Sequence, residues 1–259
     1  MWDLALVRDE CTLISGGAEG MVKVWEVSDP SGRGSQRLSW TYNGVDYDGE
    51  ETDDQPGVTA VEAIKVDLKK VAVAYQNATI KIFDIAHGKE LAVLHGESGS
   101  GKSYIYILSV RIRLIIGSDG GLSQANSIVS HPTMPLLITA HEDKYISVYD
   151  INTGGLPFAS DRRHLGAQIF SGQRTYTMPA HLDGVTSLSI DAAGFSLVSG
   201  GHDCSIRFWD ILGTKACIQE ITSHRKKASE GVLDVQFHPS LPFMASAGAD
   251  GIVKLYASS

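Results

Sequence analysis

The chain has 259 residues, enough for a full hydrophobic core, and 43% of them are hydrophobic against 20% charged, the balance of a globular protein. Its net charge of −8 excludes a general nucleic-acid binder, which needs an excess of Lys and Arg. Three scattered cysteines, Cys11, Cys204 and Cys217, form neither a metal-ligand pair nor a disulfide framework, and no apolar run is long enough to cross a membrane as a helix.

The chain opens on Met1-Trp2-Asp3-Leu4-Ala5-Leu6, which reads as the first strand of a sheet rather than as a secretory leader. A phrase follows at 13–27 that returns at 71–85, 136–151, 197–211 and 244–258. Each copy has an apolar run, small residues, a polar turn, an alternating run, and an aromatic residue often followed by an acid. Recurrence at such intervals predicts a repeat architecture. Between the first two copies lies Asp46-Tyr47-Asp48-Gly49-Glu50-Glu51-Thr52-Asp53-Asp54, six acids in nine residues. It reads as a solvated loop, or as a docking patch for a basic partner.

After the second copy comes Gly96-Glu97-Ser98-Gly99-Ser100-Gly101-Lys102-Ser103, which satisfies the phosphate-loop pattern. In that reading Gly96, Gly101, Lys102 and Ser103 hold a nucleotide. A phosphate loop needs a helix directly after it, whose N-terminus completes the anion site. Here Tyr104 to Ile116 is β-branched and aromatic, with strand preference, so the sequence predicts no cofactor. The coding of Gly101–Ser103 and Ile115–Gly117 is compatible with the ends of a short intron. On that reading residues 102–117 are translated intron.

His131-Pro132 and His238-Pro239 mark turns, because Pro cannot continue a central ladder. The surplus between Gly155 and Tyr176, with Asp161-Arg162-Arg163-His164, reads as a polar loop. The fourth copy shows one unit whole. Val185 to Ile190 alternates as a half-buried strand, Asp191-Ala192-Ala193-Gly194 turns, and Phe195 to Ser199 is a second strand. Gly200 to Asp203 turns again, Ser205 to Trp209 is a third strand, and Ala216 to Glu220 is a fourth. Such a sheet cannot bury both faces alone, so copies must stack around an axis. His224-Arg225-Lys226-Lys227 precedes the last copy as a small basic cluster, a solvated loop or a contact for an acidic partner.

The phrase resembles the WD40 repeat, with Trp209-Asp210 as the WD dipeptide. The resemblance implies an all-β β-propeller over 1–259, with repeats at 1–40, 56–95, 124–155, 178–222 and 223–259 and surplus at 97–120 and 156–176. It also implies a hydrogen-bond network joining His181, Ser199, Asp203 and Trp209. Glu19 and Asn77 replace the turn Asp, and Phe83, Tyr149 and Tyr256 replace the Trp, so weaker or absent networks are expected there. The aromatic ends at 25, 83, 149, 209 and 256 lie 58, 66, 60 and 47 residues apart, against about 40–45 for the repeat. Removing residues 102–117 would bring the second gap to 50.

The wording of 130–135, 139–143, 180–188, 201–207, 217–227 and 245–250 is similar to that of the striatin family. That resemblance implies a cytoplasmic, non-catalytic scaffold without metal or cofactor. Its partners would be protein phosphatase 2A, Mob-like proteins and kinases, with any membrane association made through them. The calmodulin- and caveolin-binding segments and the coiled coil of the family have no counterpart in this sequence. The family's seven blades imply that five are read here, either as part of a larger ring or as an atypical five-blade ring. A generic WD40 adaptor that reads peptides is the alternative, ahead of nucleotide binding at 96–103.

Overall fold

The computed structural model describes residues 3–7, 11–27, 35–41, 55–95, 123–151 and 173–257. These form five antiparallel sheets, in each of which every strand pairs with the next in sequence. The first holds β1 (Asp3–Leu6), β2 (Thr12–Gly16), β3 (Val22–Glu26) and β4 (Ser35–Trp40). The second holds β5 (Val58–Ala63), β6 (Lys70–Tyr75), β7 (Thr79–Asp84) and β8 (Lys89–His95). The third holds β9 (Ala125–Ser130), β10 (Leu136–His141), β11 (Tyr145–Asp150) and β12 (Gln173–Pro179). The fourth holds β13 (Val185–Ile190), β14 (Ser196–Gly201), β15 (Ser205–Asp210) and β16 (Ala216–Thr222). The fifth holds β17 (Val232–Phe237), β18 (Phe243–Gly248) and β19 (Val253–Ala257).

The sheets are the blades of a WD40 propeller. Their inner strands pack in order, β1 on β5, β5 on β9, β9 on β13 and β13 on β17. The core is therefore not one mass but four apolar layers, one at each joint between successive sheets. Among the described residues, the fifth sheet makes no such packing with the first.

This placement changes the meaning of the alternation in β13. A half-buried strand would put Ser187 and Ser189 in water, yet both are buried. Each sheet interior to the arc is covered on two faces, so the polar alternates meet the next sheet instead. Ser187 Oγ accepts the Val235 N–H at 3.3 Å, and Ser189 Oγ accepts that of Phe237 at 2.9 Å.

The small residues of the repeated phrase have two separate causes. The first small position, Gly16, Ala74, Ala140, Gly200 and Ala247, lies under the next sheet where one follows. A Cβ on Gly16 would stand 2.3 Å from Val58 Cγ1, and one on Gly200 2.6 Å from Val232 Cγ1. The second position faces the polar network described below. The turn that follows places one residue in the left-handed region in all five sheets, namely Gly20, Ala78, Lys144, Cys204 and Gly251. The preceding Asn77, Asp143, Asp203 or Asp250 accepts the N–H two residues on, which holds the turn shut. The pairing of third and fourth strands slips by one residue in each four-stranded sheet, always next to the terminal aromatic (Trp25, Phe83, Tyr149, Trp209). Such bulges raise local twist.

Candidate interaction surface

In the fourth sheet four side chains, from two strands and two turns, form an unbroken relay. His181, in the turn before β13, is buried, as are Ser199 on β14 and Trp209 on β15. Trp209 Nε1–H donates to Ser199 Oγ at 2.9 Å, since indole can only donate. The Ser199 hydroxyl meets His181 Nε2 at 2.7 Å. His181 Nδ1–H donates to the Asp203 carboxylate at 3.0 Å. Burial opposes the charge on Asp203, but the His181 bond, the Leu182 N–H and the Ser205 hydroxyl outweigh it. The net effect holds the Asp203 carboxyl well below the usual range. Every polar atom in the chain of contacts is matched, so the four residues hold the sheet together and leave no group directed at a ligand.

The other sheets solve the same problem differently. The fifth keeps the relay although Tyr256 stands for Trp. His224 Nε2 meets Ser246 Oγ at 2.7 Å and Nδ1–H donates to Asp250 at 3.1 Å, while the Tyr256 hydroxyl reaches Ser246 at only 3.4 Å and also bonds Ser223. The N–H of Arg225 and the His224 ring together hold the Asp250 carboxyl down at about 2. A weaker network was expected there, and only its aromatic end is weak. In the third sheet Thr139 holds the serine register, and its partner is His141 from the same strand, at 2.7 Å. His141 occupies the second small position, where a Cβ on Gly201 would come within 2.6 Å of the His181 ring. A histidine arriving from the preceding turn thus requires glycine there, and in the third sheet the site itself supplies the ring; in the first sheet Gly17 faces the Glu19 carboxylate instead. The second sheet places buried Tyr75 there and Val73 at the serine register, so Phe83 needs no acceptor. The first retains Trp25 Nε1 on Ser15 Oγ at 2.9 Å.

A second set of contacts, between sheets, is absent from the sequence reading. Asp3, Ser127 and Ser187 occupy one register on β1, β9 and β13. Asp3 and Ser127 accept the N–H of Val61 and Leu188 on the following sheets at 2.8 and 3.2 Å, the contact Ser187 makes to Val235. Ala60 holds that register on β5, and Glu62 compensates by accepting from Ser130 N at 2.9 Å. Burial pushes the Asp3 carboxyl up against its two N–H bonds, aided by the charges of Glu62 and Asp234. At the opposite end of the joint between sheets three and four, His131 Nε2–H donates to the Gly194 carbonyl at 2.9 Å, and Nδ1 accepts Thr133 and Met134 N–H. The signal available in the sequence was an Asp or Ser three residues before the end of the inner strand.

The predicted basic cluster divides. His224 is interior, engaged as above, and its side chain is not at the surface. Arg225, Lys226 and Lys227 are exposed. Lys226 Nζ pairs with Asp183 at 2.9 Å, linking the turns that enter the fourth and fifth sheets. That bond draws the Asp183 carboxyl down and the ammonium up. Among the described residues the guanidinium of Arg225 and the ammonium of Lys227 have no anionic partner. No group of His, Cys, Asp and Glu suited to a metal occurs among the described residues, and no helix there is long and apolar enough to cross a membrane. The acidic run 46–54, the motif with Gly96, Gly101, Lys102 and Ser103, the segment 102–117 and residues 156–172 lie outside the described residues, while the last four residues of the surplus read at 156–176 are not loop but the start of β12.

Comparison with known proteins agrees with this architecture. The model of the WD domain, G-beta repeat, matches residues 172–210 and 215–257. Striatin-3 of Bos taurus is 34% identical over 257 residues, 99% of this chain and 26% of the relative. Striatin and striatin-4 of Mus musculus are each 34% identical over 257 residues, again 99% of this chain and 27% of theirs. The chain thus spans about a quarter of the length of the curated relatives it matches. With WD-type sheets throughout and striatin likeness along nearly its whole length, the chain is a WD-repeat propeller of the striatin family.

Proposed function

We propose that this chain is a non-catalytic scaffold that presents the turn faces of its propeller to protein partners. By the striatin resemblance those partners are components of a cytoplasmic protein phosphatase 2A assembly, namely the phosphatase, Mob-like proteins and kinases. The observation that carries the reading is the rim at Arg225 to Lys227. Two cations stand exposed there without anionic partners among the described residues, beside the Lys226–Asp183 pair. The histidines and acids with chemical potential are meanwhile engaged inside the sheets. Unpaired rim charges speed and orient encounter with an acidic segment more than they hold it. They can do so on a chain of net charge −8 only if their field is local, which suits a short acidic partner segment.

Affinity capture from cell extract tests this, with quantitative detection of phosphatase, Mob-like and kinase subunits. The chain should retain them, and Arg225→Glu with Lys227→Glu should reduce retention and its sensitivity to salt. Retention that is unchanged by the double substitution would remove the rim from the reading. Absence of all three classes would remove the phosphatase assembly.

A further inference from the structure

The turn that leads into the fifth sheet is longer than its counterpart in the fourth, and the extra residues fold on themselves. The chain runs from His181 to Val185 to enter β13, and from the equivalent His224 as far as Val232 to enter β17. Lys227 and Glu230 exchange backbone hydrogen bonds at 3.0 and 3.1 Å, which closes a hairpin with Ala228 and Ser229 at its tip. Ala228 stands at φ 57°, in the left-handed region that penalises a Cβ. Every residue from Arg225 to Glu230 is exposed, and none enters the apolar layers between sheets. The fourth sheet is entered without such a hairpin, so the fold itself has no need of this one.

The tip carries a hydroxyl in a specific charge setting. Lys226 and Lys227 lie three and two residues before Ser229, and Arg225 lies four before it. Charge patterns of this kind are what the acidic substrate cleft of a protein kinase selects. The Ser229 side chain is exposed, and its hydroxyl has no hydrogen-bond partner among the described residues. A kinase takes its substrate as an extended segment. One bridge beside a strained residue holds this hairpin, so opening it costs little. A cation three residues before a hydroxyl occurs twice more among the described residues, at Lys144 and Ser147 and at Arg174 and Thr177. Both of those hydroxyls belong to strands paired with each other, Ser147 is buried, and the two oxygens lie 3.3 Å apart. Among these three places, pattern and access coincide at Ser229.

We propose that Ser229 is a phosphorylation site for a serine kinase that selects basic residues, and that the phosphate switches off the positive charge of the rim. The γ-phosphoryl group of ATP passes to Ser229 Oγ. The bond to the leaving ADP breaks as the bond to Oγ forms, and the hydroxyl proton goes to the carboxylate base of the kinase. The hairpin run 225–230 holds three cations and one acid. A phosphate adds a charge of about −2, which cancels that local excess. The site stands on the hairpin alone, whereas the switch rests on the reading of the rim as docking charge.

The test treats the folded 259-residue chain with ATP and the catalytic subunit of cyclic-AMP-dependent protein kinase or of protein kinase C, followed by peptide mass spectrometry. A phosphoryl group should enter at Ser229, and Ser229→Ala should lose it. Lys226→Gln with Lys227→Gln should slow incorporation about tenfold or more, as loss of charged contacts does. All three positions are exposed, so the variants should keep the circular dichroism of the parent. No phosphate at Ser229 with either kinase, or a rate indifferent to the two lysines, would overturn the site. In the capture assay the phosphorylated chain should lose the phosphatase, Mob-like and kinase subunits as Arg225→Glu with Lys227→Glu does. Full retention by the phosphorylated chain where the double Glu variant loses them would overturn the switch. Full retention by both would remove the rim reading and the switch with it, while the mass measurement alone decides the site.

Discussion

Replacing Ser199 by Ala removes one oxygen and strands two buried groups. Ser199 is fully buried, and its hydroxyl is the only link between Trp209 Nε1 at 2.9 Å and His181 Nε2 at 2.7 Å. Alanine supplies neither donor nor acceptor, and the volume change is small. Each buried polar group left unmatched costs about 1–3 kcal/mol, so the loss should be about 2–6 kcal/mol. Ser246→Ala in the fifth sheet is the internal control. There only His224 Nε2 is bound closely, because the Tyr256 hydroxyl lies at 3.4 Å and already has Ser223. One stranded group predicts about 1–3 kcal/mol. Urea denaturation followed by tryptophan fluorescence and circular dichroism reads both values, with the slope checked for constancy. A cycle with Trp209→Phe isolates the indole contribution. Once the donor is gone, Ser199→Ala should cost less by about 1–3 kcal/mol. Additivity within about 0.5 kcal/mol would refute the relay as described. So would equal losses for Ser199→Ala and Ser246→Ala.

Three further outcomes follow from the geometry. Cys204 sits at φ 68° in the turn where two other sheets use glycine, so Cys204→Gly should stabilise by about 0.5–1 kcal/mol in the same denaturation assay. Gly201→Ala places a Cβ 2.6 Å from His181 Nδ1, expels the ring from its bonds to Asp203 and Ser199, and should lower stability by about 3 kcal/mol or more. His131 is held neutral by burial, with its Nδ1 accepting two backbone N–H groups, so its folded pKa lies below the ordinary 6.5. The unfolded chain then binds the proton first. Its stabilising contribution is full above 6.5 and falls as pH drops from there toward the folded value. Denaturation midpoints of the parent should therefore decline over that interval, and His131→Gln should remove part of the decline.

The repeated phrase made the sheets and their order legible, because each strand carries its own period and each turn its own small or acidic residue. The relay of His181, Ser199, Asp203 and Trp209 was legible for a different reason: the Trp209-Asp210 dipeptide fixes a register from which the other three positions follow. What the sequence concealed was what each face of a strand meets. Ser187 and Ser189 look like solvent-facing alternates in one strand considered alone, and only the next sheet shows why they are buried. His224 was concealed by its neighbours. Set in a run with Arg225, Lys226 and Lys227 it looks like surface charge, yet it is the counterpart of His181. Its spacing to Asp250, 26 residues against 22 from His181 to Asp203, was the available sign.

The departures in the second and third sheets follow one rule, and that rule bears on where function can lie. A ring from the preceding turn demands glycine at the second small position, as at Gly201 and Gly248, where an added Cβ would meet the imidazole at 2.6 and 2.3 Å. Where no ring arrives, His141 or Tyr75 fills the same space from within the strand. Both arrangements fill the same space with a ring, and the aromatic end of the third strand is buried in the second, third and fourth sheets. The interior thus tolerates several solutions without exposing a reactive group, and the residues best suited to chemistry are the ones most fully engaged. Recognition is left to side chains the sheets do not need. Among these on the described surface are the rim cations Arg225 and Lys227, which stand exposed. Such cations can select a partner by charge.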